Sequence, residues 1–166
     1  MKTPFVELTV KTDDGEFNAR YSETGLTELS FPAGKAKLPV SQATRQRCPT
    51  KILGWHRLTE AALKAILAGR QPKKFPPLDL AGTVFQKNVW QALRKILVGR
   101  TKSYGEIAQA IGRPKAVRAV GGACGANPVP VLVPCHRVLA ANGKIGGFSG
   151  GLERKRRLLA REGVKI

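Results

Sequence analysis

Hydrophobic spacing changes once along this chain, and the change decides what it can build. From Val6 to Tyr21 apolar residues alternate with polar ones, whereas from Phe85 onward they recur three and four positions apart. A period of two gives a strand with one buried face, and a period near 3.6 gives a helix with one buried stripe. Between the two regimes lies RQPKKFPPLDLAG (70–82), rich in Pro and Lys and the natural place for a linker. The pattern predicts an α+β protein, with a small N-terminal α/β domain over 1–81 and a mainly helical C-terminal domain over 82–166. At 166 residues the chain can bury one good core, or two small domains sharing an interface.

In the first half, Val6, Leu8 and Val10 are followed across Asp13, Asp14 and Gly15 by Phe17, Ala19 and Tyr21, which predicts a hairpin. LTELSF (26–31) predicts a third strand, and a polar stretch with Pro39 and Pro49 follows. Thr59 is placed to cap a short helix, EAALKAILA, stopped by Gly69. In the second half Thr83 and Gln86 predict a capping box for a helix with Phe85, Val89, Leu93, Ile96 and Leu97 on one face, ended by Gly99. Ser103 and Glu106 predict a second box for a short helix closed by Gly112. Pro114 sits at a favoured first-turn position for PKAVRAVGGACG. Two short helices joined by a Gly-containing turn predict a helix-turn-helix. A basic helix over about 152–162 follows the glycine-rich loop GKIGGFSGG.

The charge narrows the partner. Twenty-nine Lys and Arg against 11 Asp and Glu give a net charge of +18. Residues 82–166 hold 16 of the bases and three acids, Glu106, Glu153 and Glu162. Such self-repulsion suits a polyanion bound by the second half, with nucleic acid ahead of an anionic membrane surface. No apolar run approaches the ~20 residues of a membrane span, and the first residues lack a signal peptide's apolar core. An odd number of cysteines (Cys48, Cys124, Cys135) without metal-type spacing predicts a reduced intracellular protein without disulfides.

A helix reading the major groove needs long polar side chains to reach base edges. The helix after Pro114 offers Ala116, Val117, Ala119, Val120, Gly121, Gly122 and Ala123, and one long side chain, Arg118. Small residues allow close backbone approach to a minor groove, with one side chain inserted in the stack. They also favour tight helix packing; the surrounding charge favours DNA bound without sequence preference.

VPCHRV (133–138) sets Cys135 beside His136 and Arg137, behind a proline. A lone cysteine is more often a small buried hydrophobe than a nucleophile. His136 and Arg137 can favour a thiolate, and the chain must bend, or a water must bridge, for His136 to meet Cys135. A metal site from Cys135, His136, Cys124 and His56 has no pair with ligand spacing.

PCHRV, preceded by RAVGGA and NPVP and followed by GGFSGG and LLAREG, resembles the methylated-DNA–protein-cysteine methyltransferases, which repair O6-alkylguanine. The likeness runs from GTVFQKNVWQAL through TKSYGEIAQAIGRP, over roughly residues 82–166; the first half is similar only in outline to that family's ribonuclease-H-like domain. The resemblance implies that Cys135 accepts the alkyl group and that His136, oriented by Glu162, deprotonates it through a water. It implies that Asn127 fixes the turn behind the cysteine and that Tyr104 hydrogen-bonds guanine N3. Arg118 would take the flipped base's place, with Ala119, Gly121, Gly122 and Arg137 at the DNA. Cys124, Val138, Phe148, Ser149 and Gly150 would line the alkylguanine pocket.

The implied function is single-turnover direct reversal on O6-alkylguanine, and possible O4-alkylthymine, in double-stranded DNA met from the minor groove. Neither cofactor nor metal is implied, and the expected state is a monomer. The expected location is the cytoplasm, with the nucleoid, in a prokaryote and the nucleus in a eukaryote. Two departures from the family's common pattern are Leu97, where a proline is usual, and Phe148, where a tyrosine is frequent. Leu97 predicts a slightly longer preceding helix. The competing readings are a non-catalytic alkyltransferase-like protein, which would lack Cys135, a cysteine hydrolase, which would turn over, and a simple basic DNA-binding module.

Overall fold

The structure, a computed structural model, describes residues 5–33 and 47–166. Pro39, in the predicted polar connection, lies outside them. The expected hairpin is formed by β1 (Val6–Thr12) and β2 (Gly15–Tyr21), with Val6 opposite Tyr21, Leu8 opposite Ala19 and Val10 opposite Phe17. β3 (Leu26–Ser30) pairs antiparallel with β2, placing Leu29 opposite Ala19. Strand alternation sends Leu8, Val10, Phe17, Ala19, Tyr21 and Leu29 to one buried face. Against it packs helix α1 (Thr50–Leu67), burying Ile52, Leu63 and Ile66, each worth roughly 1.5–3 kcal/mol.

Two expectations for this half are corrected. α1 starts at Thr50, so Thr59 is not its cap but a buried residue in mid-helix. Its hydroxyl donates to the Trp55 carbonyl (2.9 Å) and accepts from the Tyr21 hydroxyl (2.9 Å). A threonine satisfied by the preceding turn does not stop a helix. The stretch 70–82 is not a loose connection either. The Leu26 amide donates to the Pro77 carbonyl (2.8 Å) and the Asp79 amide to the Leu26 carbonyl (2.9 Å), so Leu78 bridges the free edge of β3 in parallel. A sheet edge is where proline is tolerated, because the missing N–H faces away from the ladder.

Helix α2 (Val84–Arg94) has the capping box of Thr83 and Gln86, and α3 (Tyr104–Ala110) that of Ser103 and Glu106. α4 (Val117–Gly125) follows after a turn and packs on both. It begins three residues later than its proline suggests: Pro114 lies in the turn, where the Ala116 amide donates to the Arg113 carbonyl. α2 is shorter than expected, ending before Ile96. Leu97 is therefore off the helix and 57% exposed, and it does not extend α2. Trp90, absent from the predicted face, is buried and donates its indole N–H to the Ala123 carbonyl (2.9 Å), tying α2 to α4. Beyond the turn at 135–137, the short strand β5 (Val138–Leu139) pairs in parallel with β4 (Lys102–Ser103). The chain closes with α5 (Leu152–Arg161).

Both halves contribute to one cluster of buried side chains. The Leu29 amide donates to the Pro128 carbonyl (2.9 Å), and Arg161 grips Asp14 with both terminal guanidinium nitrogens while also donating to the Leu67 carbonyl. Gly69, at φ +72°, lies against the Arg161 carbonyl so closely that a Cβ there would overlap it. Gly69→Ala should therefore combine left-handed strain with a backbone clash, and lower the melting temperature by about 5 °C or more in a thermal scan.

Candidate active site

The apolar run 129–133 ends at Pro134, and the chain then turns through a single 3-10 turn, Cys135–Arg137. This turn supplies the bend that an extended Cys-His pair lacks. It is shaped from behind by Asn127, whose Nδ2 donates to the Val133 carbonyl (2.7 Å) while its Oδ1 accepts from the Val129 amide (3.0 Å). Between those two points Val131 holds φ +74°, an uncommon conformation for a β-branched residue that costs on the order of 1–3 kcal/mol. The two Asn127 hydrogen bonds hold the loop in it.

Cys135 is 3% exposed. Burial pushes its thiol above the ordinary cysteine range, opposed by a hydrogen bond to Asn127 and the nearby Lys155 charge. It is a thiol at rest and needs a base. His136 is wholly buried, with Nε2 at 2.9 Å from Glu162 Oε1. Burial and the Arg137 and Lys155 charges push the imidazole down, against the pull of Glu162, so it is neutral near pH 7. Burial alone would raise Glu162, but its His136 and Arg137 hydrogen bonds outweigh that and hold the carboxyl at about 2. An ionised carboxylate only accepts, so Nε2 must carry the imidazole hydrogen. Nδ1 is then the basic nitrogen. It makes no hydrogen bond to protein among the described residues. A buried neutral imidazole with one free lone pair beside a protonated thiol can receive that thiol's proton.

Arg137 corrects the sequence expectation. It is 3% exposed rather than at the DNA surface, and Nε and Nη2 each donate to Glu162 at 2.9 Å while Nη1 donates to the Ile96 carbonyl (2.6 Å). Its donors are spent on holding the carboxylate. The other expected DNA residues lie on α4, where Arg118, Ala119 and Gly122 are exposed and Gly121 is half-buried.

Among the expected pocket residues, Val138 and Cys124 are buried, Phe148 and Gly150 half-buried, and Ser149 exposed. Burial and the neighbouring Cys135 push the Cys124 thiol to about 12, which keeps it protonated. Tyr104, at the start of α3, has its ring against Gly146 and donates to the Gly147 carbonyl (3.4 Å). Burial, with Cys124 and Cys135 nearby, raises its hydroxyl, which therefore stays a hydrogen-bond donor.

Sequence reasoning missed Lys155. It is fully buried, and its Nζ donates to the carbonyls of Val138 (2.7 Å) and Gly147 (3.2 Å), joining the strand after the cysteine to the glycine-rich loop. Burial pushes its ammonium down, while Cys135 and Cys124 pull it up. In a run of five consecutive charged residues, 153–157, it looks like surface. Its spacing, three residues before Leu158 and four before Leu159, is that of the buried stripe.

A buried thiol served by a carboxylate-held histidine, next to a helix-turn-helix with exposed small residues, defines a DNA-binding protein with a cysteine nucleophile. Residues 84–164 match the family model described as "6-O-methylguanine DNA methyltransferase, DNA binding domain". The methylated-DNA–protein-cysteine methyltransferase of Methanosarcina acetivorans is 43% identical over 141 residues, 85% of this chain and 87% of that protein. That of Mycolicibacterium paratuberculosis is 54% identical over 100 residues, a match spanning 60% of this chain and 61% of the relative. A crystal structure of Mycobacterium tuberculosis OGT in complex with DNA superposes with a TM-score of 0.72 at 38% identity, covering 94% of this chain and 91% of that one. The chain belongs to the methylated-DNA–protein-cysteine methyltransferase family.

The site should make the fold acid-sensitive in two steps. His136 binds its proton more weakly folded than unfolded, so stability is lost as pH falls below the ordinary 6.5. Glu162, likewise depressed, adds a second loss between its ordinary 4.5 and about 2. Melting temperature measured from pH 8 downward should hold, decline below pH 6.5 and steepen below 4.5, and Glu162→Gln should make the second decline shallower while lowering stability at neutral pH; Asp14, Asp79 and Glu106, whose carboxyls are also held down, keep the rest of it.

Proposed function

We propose that this protein repairs alkylated DNA by moving the alkyl group of O6-alkylguanine, and with it O4-alkylthymine, onto Cys135. The observation that carries this reading is the pairing of a protonated, buried Cys135 with a neutral His136 whose tautomer Glu162 dictates. Residues 82–166 are the DNA-binding and transfer domain, and residues 1–81, of ribonuclease-H-like type, support it.

The target oxygen lies inside the duplex, so the nucleotide must be extruded at a cost of a few kcal/mol. α4 enters the minor groove, where Ala119, Gly121 and Gly122 let its backbone approach. Arg118 fills the gap left in the stack and offsets part of the cost. In the pocket His136 Nδ1 takes the Cys135 proton through one water. The sulfur lone pair then attacks the alkyl carbon, an S–C bond forms as the C–O6 bond breaks, and the electron pair passes into the purine. Tyr104 donates a hydrogen bond at N3 of that purine as negative charge grows there. Lys155 holds Val138 and the loop around Gly147 in place while this happens. The product is a thioether, which water does not cleave, so one monomer acts once. A hydrolase would release its product and regain the thiol.

Incubation with duplex DNA carrying labelled O6-methylguanine should plateau at one methyl per protein and add about 14 Da to the peptide holding Cys135, as replacement of the thiol hydrogen requires. Cys135→Ala should transfer nothing yet still bind the DNA, whereas Cys124→Ser should retain transfer. Release of methanol beyond one equivalent would establish the hydrolase instead. Arg118→Ala should slow transfer from duplex DNA by at least about tenfold more than transfer from free O6-benzylguanine, because only the duplex reaction includes extrusion. Equal losses would place Arg118 in the chemistry or the fold.

A further inference from the structure

The glycine-rich loop reaches the neighbourhood of Cys135 through two residues of the C-terminal half. Tyr104 packs on Gly146, and Lys155 bridges Gly147 to Val138, three residues past the cysteine. Its other side is braced by a residue from the opposite end of the chain. Phe31, directly after β3, meets Phe148 edge to face with ring centroids 5.7 Å apart and planes at 72°. Phe31 is backed in turn by Phe17, also at 5.7 Å, which is buried in the sheet. The Arg154 guanidinium lies 4.4 Å from the centre of the Phe31 ring, and its Nη1 donates to the Gly150 carbonyl (3.3 Å). A Cβ at Gly150 would come within 2.7 Å of the Phe31 ring and 2.8 Å of the Phe148 ring. The two rings close on bare backbone.

We infer that Phe31 is a positioning residue that determines specificity: through Phe148 and Gly150 it fixes how far the loop stands from Cys135, and so limits the size of the alkyl group transferred. The inference rests on the alkyl-transfer reading above. Phe31 does not touch the reacting atoms. It transmits the rigidity of the N-terminal sheet through Phe17 to the loop. Edge-to-face and cation–π contacts of this kind are each worth enough to shift a local equilibrium several-fold. With the ring removed, the loop can swing outward into the space the ring occupied. A methyl group, which needs close approach of loop and sulfur, would then be served less often. A benzyl group, which needs room, would gain.

The test compares second-order transfer rates from DNA carrying O6-methylguanine and O6-benzylguanine for the wild type, Phe31→Ala and Phe31→Leu. Hydrogen exchange is followed at the Gly151 amide, which is bonded to the Phe148 carbonyl. The benzyl-to-methyl rate ratio should rise about tenfold in Phe31→Ala and less in Phe31→Leu, and exchange at Gly151 should quicken by a similar factor. Phe31→Leu keeps apolar bulk on Phe17 and serves if the alanine variant does not fold. An unchanged or lower ratio, or equal loss on both substrates, overturns the inference whatever the exchange rate does. No transfer by the wild type from either substrate would instead overturn the alkyl-transfer reading, and the specificity role with it; exchange at Gly151 would still report whether Phe31 holds the loop.

Discussion

One buried carboxylate organises the second half of this protein. Glu162 accepts from His136 with one oxygen and from Arg137 with both, and Arg137 reaches on to the Ile96 carbonyl after α2. Removing one partner of such a buried set leaves an uncompensated charge, which typically costs about 3–5 kcal/mol. The set does more than hold the fold. By staying ionised, Glu162 assigns the imidazole hydrogen to Nε2 and leaves Nδ1 as the base. The contact that anchors the fold also sets the tautomer.

Glu162 is positioned in turn from the N-terminal half. The preceding residue, Arg161, is gripped by Asp14 in the β1–β2 turn and lies against Gly69 after α1. Phe31 braces the loop on the far side. The small sheet holds none of Cys135, His136 and Glu162, yet it touches the segment after Cys135 at the glycine-rich loop and again at Arg161. The +18 net charge makes such anchoring more than decoration, since repulsion among the exposed bases of the second half works against compactness until a polyanion is bound.

Local rules were legible where a residue's neighbours in sequence are also its neighbours in space. The hairpin, both capping boxes and the basic terminal helix followed from local residue type and spacing. Thr59 was misread because a cap and a buried back-bonded threonine look alike until Tyr21, 38 residues away, supplies its hydroxyl. α2 stops short of Leu97 although the apolar spacing runs on. Stretch 70–82 has the composition of a linker, and only the edge of β3 draws Leu78 into a single bridge.

The sequence by itself determined which chemistry was possible: a cysteine beside a histidine, a basic half, a helix of small residues with one arginine, and a likeness to a known family through linked motifs. Each is a matter of residue type and order. The tertiary structure alone decided how those groups are charged and what they face. Arg137 became a buried partner of Glu162 instead of a DNA contact, Lys155 turned from surface base to buried bridge, and His136 acquired a defined tautomer. The reason is that charge state and hydrogen-bond role depend on burial and on partners distant in the chain, here 25 and 26 residues away across the loop. No pattern of neighbouring residues contains that information.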